Sequence, residues 1–328
     1  MYDYRELINK DRQYVWHPFT QMKSWNEEEP LIIVSGKGNL VIDIKGNEYI
    51  DAYSSLWCNV HGHNVPEINA AVKNQLDLIA HSTLLGAANV PSILLAEKLI
   101  QIAPEGLTKV FYSDSGATAV EIALKMAYQY WTHIEGKPRK SFITFQEAYH
   151  GDTVGSVSLG GMPLFHDIFK GLLFDTHKIP ATSTLKDGKI ISLQEAGRIS
   201  LTEAEKVLKA NQGQVIAIVV EPLVFGAAGM IVQPEGFVKK LSLLAQEYDT
   251  LLICDEVATG FGRTGEMFAC NSEAVCPDIM TVAKGLTGGY LPVAATLTRE
   301  KIFDAFLGEF TENKTFFHGH TYTGNQLG

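Results

Sequence analysis

Short apolar runs that alternate with helical stretches most constrain the fold of this chain. Five such runs are rich in β-branched or aromatic residues, and each ends in polar residues or glycine. They are KVFYS (109–113), KSFITF (140–145), QVIAIVVEP (214–222), TLLICDEV (250–257) and DIMTVAKG (278–285). Runs of this kind are typical of strands buried on both faces. The alternation therefore predicts a mainly parallel α/β sheet with helices on both faces, whose functional groups gather at the carboxyl ends of the strands.

The first 60 residues follow a different pattern. The runs LIIVSG and NLVIDIKGNEYIDAY are short and β-like, and Gly36, Gly38 and Gly46 interrupt them. Such runs around a KGN turn predict a hairpin or a small antiparallel meander. Helical stretches begin only after Pro66, so we expect a boundary near residue 60 between a small N-terminal element and a large domain spanning residues 61–328.

Composition and charge exclude several classes of protein. The 328 residues are 46% hydrophobic and carry a net charge of −10 without a basic stripe, which argues against nucleic-acid binding. No window approaches the roughly 18 apolar residues of a membrane helix. The polar first residues do not resemble a secretory signal, so we expect a cytoplasmic protein. The four irregularly spaced cysteines are interpreted as buried or incidental thiols in a reducing compartment.

Three ionisable residues stand where predicted strands end. Asp255 closes one apolar run, and a carboxylate there is costly unless a cation pairs with it. Lys284 follows the next run among small and apolar residues, which lower the pKa of an amine and make it a usable nucleophile. Glu221 ends the run QVIAIVVEP. From spacing alone, an ordinary ion pair between Asp255 and Lys284, or a solvent-facing loop position for Lys284, is an equal alternative.

The segment YSDSGATAVEIALKMAYQYW favours a chemical role. A predicted strand is followed by the small residues 113–118 and then by a helix, an arrangement in which backbone N–H groups can hold a phosphate. Taken alone, an ordinary Ser/Asp N-cap explains it equally well. A phosphate site, a buried acid and an activated lysine together match the needs of pyridoxal phosphate.

Two other motifs are poor candidates for sites. Residues 260–265, GFGRTG, fit G-x-G-x-x-G, but no helix follows them and no second strand-end acid appears about 20 residues on. A dinucleotide site is therefore disfavoured. His61-Gly62-His63 and His318-Gly319-His320 have too few neighbouring ligands for a metal, so no metal is predicted.

The chain resembles the class III aminotransferases over nearly its whole length. Their successive signatures match YSDSGATAVEIALKMA, EAYHGDTVG, EPLVFGAAGM, CDEVATGFGRTG, TVAKGLTGGYLPVAAT and HGHTYTGNQ, in family order. The front segments YVWHPFTQMKSW and DAYSSLWCNVHGHN resemble the branch that converts 8-amino-7-oxononanoate to 7,8-diaminononanoate in biotin synthesis. The resemblance implies a fold-type I enzyme in which residues 1–60 are the N-terminal part of a small domain and residues 61–328 form the large cofactor-binding domain.

The resemblance also implies roles for residues that face the cofactor. Lys284 would hold pyridoxal phosphate as a Schiff base and then move a proton. Asp255 would keep the ring nitrogen protonated, and Tyr149 would lie against the ring and border the substrate. Gly116 and Ala117 would bind the phosphate through backbone N–H groups, although the family often has serine where Ala117 stands.

A second group of residues would face the substrate or a partner subunit. Gly319, His320 and Thr321 match the segment that reaches the phosphate and substrate of the neighbouring subunit in a homodimer. Trp57 and Phe19 match positions that line the substrate pocket. Relatives that use S-adenosylmethionine as amino donor commonly have tyrosine where Phe19 stands, so both S-adenosylmethionine and L-lysine stay open as donors, with a slight preference for the first.

The chain ends at Gly328, inside the last of these motifs. The resemblance implies that a long helix, a C-terminal small domain and an arginine for the substrate carboxylate would follow. We therefore expect this chain to keep the motifs but to bind substrate poorly. The alternatives are another class III ω-aminotransferase, acting on ornithine, 4-aminobutyrate or β-alanine, and a catalytically silent subunit.

Overall fold

A computed structural model describes residues 3–186 and 188–328. The chain divides into two compact units, Met1–Asn74 and Gln75–Gly328. Within the described ranges, no helix combines the length and the apolar character that crossing a membrane requires.

The first unit is built around a three-stranded antiparallel sheet in the order β1-β2-β3. This confirms the N-terminal antiparallel element predicted from the sequence. Its elements are α1 (Tyr4–Tyr14), α2 (Met22–Glu27), β1 (Ile33–Lys37), β2 (Leu40–Asp43), β3 (Glu48–Ile50), α3 (Ser54–Trp57) and α4 (Pro66–Leu78), the last of which contains the boundary between the units.

The second unit contains the main sheet and its helices. Its helices are α5 (Val90–Ile102), α6 (Gly116–Glu135), α7 (Val154–Leu159), α8 (Pro163–His166), α9 (Leu193–Ala210), α10 (Phe237–Glu247) and α11 (Glu300–Asp304). Its strands are β4 (Leu107–Ser113), β5 (Ser141–Phe145), β6 (His177–Ile179), β7 (Leu185–Lys186), β8 (Lys189–Ile190), β9 (Val215–Val220), β10 (Val224–Phe225), β11 (Ile231–Val232), β12 (Leu251–Asp255), β13 (Ile279–Val282) and β14 (Ala294–Arg299). Four 3₁₀ turns lie at Asp167–Leu172, Ala269–Glu273, Lys284–Thr287 and Phe310–Glu312.

The central sheet has seven strands in the order β4-β14-β13-β12-β9-β5-β6. Only β14 runs against its neighbours, because it pairs antiparallel with both β13 and β4 while the remaining pairs are parallel. The carboxyl ends of β4, β13, β12 and β9 therefore meet at one edge of the sheet. The predicted mainly parallel α/β architecture is confirmed.

Side-chain alternation along β12 shows that helices cover both faces of the sheet. Leu251 and Ile253 pack in one buried cluster with residues of α6, whereas Leu252 and Cys254 pack in another with residues of α9 and α10. All of β12 is buried, which explains why it reads as an uninterrupted apolar run. The same alternation assigns Asp255 to the α6 face.

Arg139 holds the end of α6 against the sheet. Its guanidinium is buried and stacks on the Trp131 ring, 3.1 Å from the ring centroid. It donates to Glu135 Oε1 at 2.6 Å and 3.0 Å, to the Val215 carbonyl at 3.1 Å, and to the Asp249 carbonyl and carboxylate. One side chain thus satisfies acceptors on three segments.

We expect Arg139→Ala to destabilise the protein by about 3 kcal/mol, because it removes a buried guanidinium from the buried Val215 carbonyl, from Glu135 and from the Trp131 ring. Arg198 on α9 is a matched control, since it pairs with Glu195 on the exposed surface, and Arg198→Ala should cost less than about 1 kcal/mol. Urea unfolding of both variants measures the difference. Equal losses would contradict the role given to Arg139.

Candidate active site

Asp255 is a carboxylate buried at the carboxyl end of β12 with three hydrogen-bond donors around it. Its Oδ1 accepts from the Val257 N–H at 3.0 Å and from Thr281 Oγ1 at 3.2 Å. Its Oδ2 lies 2.7 Å from Nδ1 of His150. Thr281 is the residue that pairs with Asp255 in the register between β12 and β13. The carboxylate is therefore fixed by its own strand, by the next strand and by the loop after β5.

His150 is the ionisable side chain that contacts the buried carboxylate. The imidazole is fully buried, which by itself lowers the pKa, but the hydrogen bond and the charge of Asp255 outweigh burial and raise the pKa of His150 above its usual value. A protonated imidazole beside the carboxylate offsets the cost of removing both charges from water. Nε2 of His150 is buried and has no hydrogen-bond partner among the described residues.

Lys284 follows β13 closely and lies at the same edge of the sheet. It comes three residues after Thr281, the hydrogen-bond partner of Asp255. Its backbone has φ +43°, the left-handed region that residues other than glycine rarely adopt. Ala283 beside it packs with Ala119 of α6 and with Val257. Strain of this kind is common at functional sites, where the surrounding structure fixes one direction for a side chain.

The first turn of α6 forms a close-fitting cradle. Ser115 and Thr118 make a capping box that uses the N–H of Thr118. The earlier N–H groups, those of Gly116 and Ala117, have no partner within the helix and point outwards. A Cβ added at Gly116 would lie 2.5 Å from Cγ1 of Val257, so glycine is required for the helix to approach β12 this closely.

Gly151 closes the cradle from the loop after β5. Its φ of +115° suits only glycine, and a Cβ there would lie 2.4 Å from Cβ of Ala117. The cradle therefore joins the helix N-terminus, the residues after β12 and the loop that carries His150. A helix N-terminus of this kind suits an anionic group such as phosphate, and Ala283, the residue before Lys284, packs against the same helix.

Tyr149 lies in the same loop and is half-buried. Its N–H donates to Glu221 Oε1 at 3.1 Å, and its hydroxyl donates to Asp152 Oδ2 at 2.7 Å. Burial, assisted by Asp152, raises the pKa of the Tyr149 hydroxyl. The phenol therefore stays protonated at neutral pH and acts as a fixed donor.

The segment after residue 318 contacts the residues that lead into α6. Nδ1 of His320 lies 2.7 Å from Oδ2 of Asp114, the residue that precedes the α6 cap. Gly319 and Thr321 are exposed. The structure thus brings His320 of the same chain near the cradle.

The two predicted pocket residues of the N-terminal region belong to the first unit. Phe19 is 71% exposed with φ +50°, and Trp57 ends α3 with φ +68°. Both are described within that unit alone.

Sequence reasoning gave no role to His150 or Thr281. The signal for His150 was present in the run EAYHG, where a histidine follows a predicted strand beside Tyr149. Thr281 gave no signal, because a threonine inside an apolar strand is ordinary. Glu221 was noted as a strand-end acid, and its environment is buried and polar.

The fold and this site define a pyridoxal-phosphate-dependent transferase of fold type I. The family profile "Aminotransferase class-III" matches residues 22–328, and the chain belongs to that family, whose members use pyridoxal phosphate. Both predictions from the sequence, the family and the cofactor, are confirmed.

Similar proteins with specific names extend the comparison. The chain is 54% identical to the adenosylmethionine-8-amino-7-oxononanoate aminotransferase of Geobacter sulfurreducens, covering 100% of this chain and 72% of that protein. It is 56% identical to the protein of that name from Aquifex aeolicus, with 99% and 72% covered. The crystal structure of the Methanocaldococcus jannaschii protein of the same name is 50% identical, has a TM-score of 0.92, and is matched over 99% of this chain and 72% of that one. An (S)-enantioselective ω-transaminase from Thermomicrobium roseum has the same TM-score at 32% identity, with 99% and 72% covered.

We expect Gly116→Ala to weaken binding of pyridoxal phosphate about 10-fold or more, because the added methyl overlaps Val257 and pushes α6 away from the site. The double variant Gly116→Ala/Val257→Ala removes the overlapping methyls and should recover much of the affinity, whereas Val257→Ala alone should change it little. Equilibrium dialysis with the cofactor measures all three. Wild-type affinity in Gly116→Ala would contradict the close approach.

Proposed function

We propose that this chain transfers an amino group to 8-amino-7-oxononanoate, giving 7,8-diaminononanoate for biotin synthesis. The main support is one geometric observation: Asp255, the residue before Lys284 and the first turn of α6 are brought together through Val257, Thr281 and Ala283. The identities of 50–56% to proteins named for this reaction favour its substrate.

The side chains around the cofactor site divide the work. Bound pyridoxal phosphate supplies an electron-accepting ring and a carbon that carries the amino group between the two half-reactions. Lys284 would provide the amine that holds the cofactor and would then move a proton on the substrate side. Asp255, hydrogen-bonded to His150, would keep the ring nitrogen protonated. Gly116 and Ala117 would hold the phosphate through their N–H groups, and Tyr149 would flank the ring.

The substrate-binding roles of Trp57 and Phe19, and separately that of Gly319, stay predictions from the sequence. S-adenosylmethionine is the proposed donor, in agreement with the names of the similar proteins, and L-lysine is the alternative that Phe19 keeps open. Two further points stay predictions from the sequence. One is a homodimer in which His320 and Thr321 contribute to the site of the neighbouring subunit, and the other is a cytoplasmic location.

A second candidate is an ω-aminotransferase with a different substrate. The fold is matched equally well by the Thermomicrobium roseum ω-transaminase, with a TM-score of 0.92. The lower identity of that protein, 32% against 50% for the Methanocaldococcus jannaschii structure, favours the first proposal.

We expect Lys284→Ala to abolish the absorbance of the attached cofactor and to lower transamination by at least about 100-fold, since both attachment and proton transfer need this amine. Lys209→Ala on the exposed surface of α9 is the control, because the ion-pair partner of Lys209 is Glu205 on the same helix. Absorbance spectra and product assays measure the outcome. Wild-type turnover in Lys284→Ala would remove the basis for this mechanism.

Substrate identity can be read from the two half-reactions. We expect S-adenosylmethionine to deplete the aldehyde-form absorbance and 8-amino-7-oxononanoate to restore it. Depletion by L-lysine instead would change the donor but keep the acceptor. Failure of 8-amino-7-oxononanoate to restore the absorbance, together with depletion by 4-aminobutyrate or ornithine, would replace the first proposal with the second.

A further inference from the structure

Glu221 is a buried acid that the mechanism above does not use. It follows β9, is 5% exposed, and accepts one backbone hydrogen bond on each carboxylate oxygen. Oε1 accepts from the Tyr149 N–H at 3.1 Å, and Oε2 accepts from the Gly226 N–H at 3.0 Å. An apolar residue here would leave both N–H groups without this acceptor, so the carboxylate ties the two segments together.

The backbone around Glu221 is itself held in place. Gln233 is buried, donates to the Glu221 carbonyl at 2.6 Å and accepts from the Leu223 N–H at 2.9 Å. Leu223 has φ +67°, a conformation that persists only where the surroundings enforce it. The Glu221 carboxylate is therefore presented from a rigid support.

The loop that Glu221 holds carries two residues of the candidate active site. Tyr149, whose N–H it binds, precedes His150, whose imidazole contacts Asp255 at 2.7 Å. A shift at the Tyr149 amide would therefore move both the phenol and the imidazole. Glu221 thus links the loops after β5 and β9 to the acid at the end of β12.

We propose that Glu221 is a positioning residue whose ionised carboxylate holds Tyr149 and His150 in place for catalysis. This inference rests on the proposed transamination, because it assigns Glu221 a part in that same site. An ionised carboxylate offers two good acceptor oxygens, one for each N–H, whereas the protonated acid has one good acceptor and one poor one.

The charge state of Glu221 changes close to neutral pH. Burial raises its pKa to about 7; the charge of His150 opposes this shift and the charge of Asp255 adds to it. Tyr149, which stays neutral, is the other titratable neighbour. Because the pKa is raised, the proton is bound below about pH 7 and lost above it. The ionised carboxylate therefore accepts both hydrogen bonds, from the Tyr149 and Gly226 N–H groups, above about pH 7, and one of the two is weakened below it.

Glu221→Gln tests this role, because its amide keeps the shape but offers one acceptor and places an NH₂ donor against a backbone N–H. We expect kcat to fall about 10- to 100-fold with a smaller change in KM, and the acid limb of the kcat profile near pH 7 to disappear. In cofactor-free protein, the imidazole N–H proton resonance of His150 should shift, and its pH titration should change.

Glu256→Gln is the matched control. Glu256 is also fully buried, accepts from Thr259 Oγ1 and the Cys270 N–H, and has a pKa raised by burial. It follows Asp255 by one residue, so strand alternation directs it to the opposite face of the sheet, and among the described residues no hydrogen bond joins it to Tyr149. This variant should lose stability in a thermal unfolding scan but keep the wild-type acid limb and the His150 resonance.

The outcomes separate the two proposals. If Glu221→Gln kept the wild-type acid limb and the wild-type His150 resonance, the positioning role would be overturned. It would also be overturned if Glu256→Gln lost the acid limb and shifted the His150 resonance as Glu221→Gln does. If the wild-type protein transaminated no donor, the proposed function would fail, while the resonance of His150 in cofactor-free Glu221→Gln would still decide whether Glu221 holds this loop.

Discussion

The buried charge of Asp255 is the constraint on which the rest of the site depends. A carboxylate at the closed end of an apolar strand is tolerated only when its oxygens are hydrogen-bonded and a cation stands beside it. Thr281, the Val257 N–H and His150 meet those needs. These three groups belong to the next strand, the turn after β12 and the loop after β5. The hydrogen bonds to Asp255 therefore fix three segments around one carboxylate.

Small side chains allow the helix to share this arrangement. Ala119, Ala283 and Ala294 pack with Val257 at the centre of the site, and Gly116 permits an approach that any Cβ would block. The helix N-terminus, with its outward N–H groups and its partial positive charge, therefore lies beside the residues that follow β12 and β13. A ligand with an anionic group at one end and a protonated ring nitrogen at the other would be complementary to the α6 N-terminus and to Asp255.

The sequence alone predicted the strands and their ends well, because a strand buried on both faces is apolar at nearly every position and is visible as a continuous run. The runs KVFYS and TLLICDEV correspond to β4 and β12, and these strands end at Ser113 and Asp255 as predicted. The antiparallel strand β14 was not foreseen, since Ala294–Arg299 mixes alanine and threonine and has no uninterrupted apolar run. The contact of His150 with Asp255 was also beyond reach, because 105 residues separate them and neither local period nor spacing records such a pairing.

A crystal structure of the protein grown with pyridoxal phosphate tests the central claim most directly. The account predicts continuous density from Nζ of Lys284 to the cofactor, with the ring nitrogen within hydrogen-bond distance of Asp255, about 3 Å. It also predicts phosphate oxygens at a similar distance from the N–H groups of Gly116 and Ala117. A phosphate bound elsewhere, or a ring nitrogen facing away from Asp255, would contradict it.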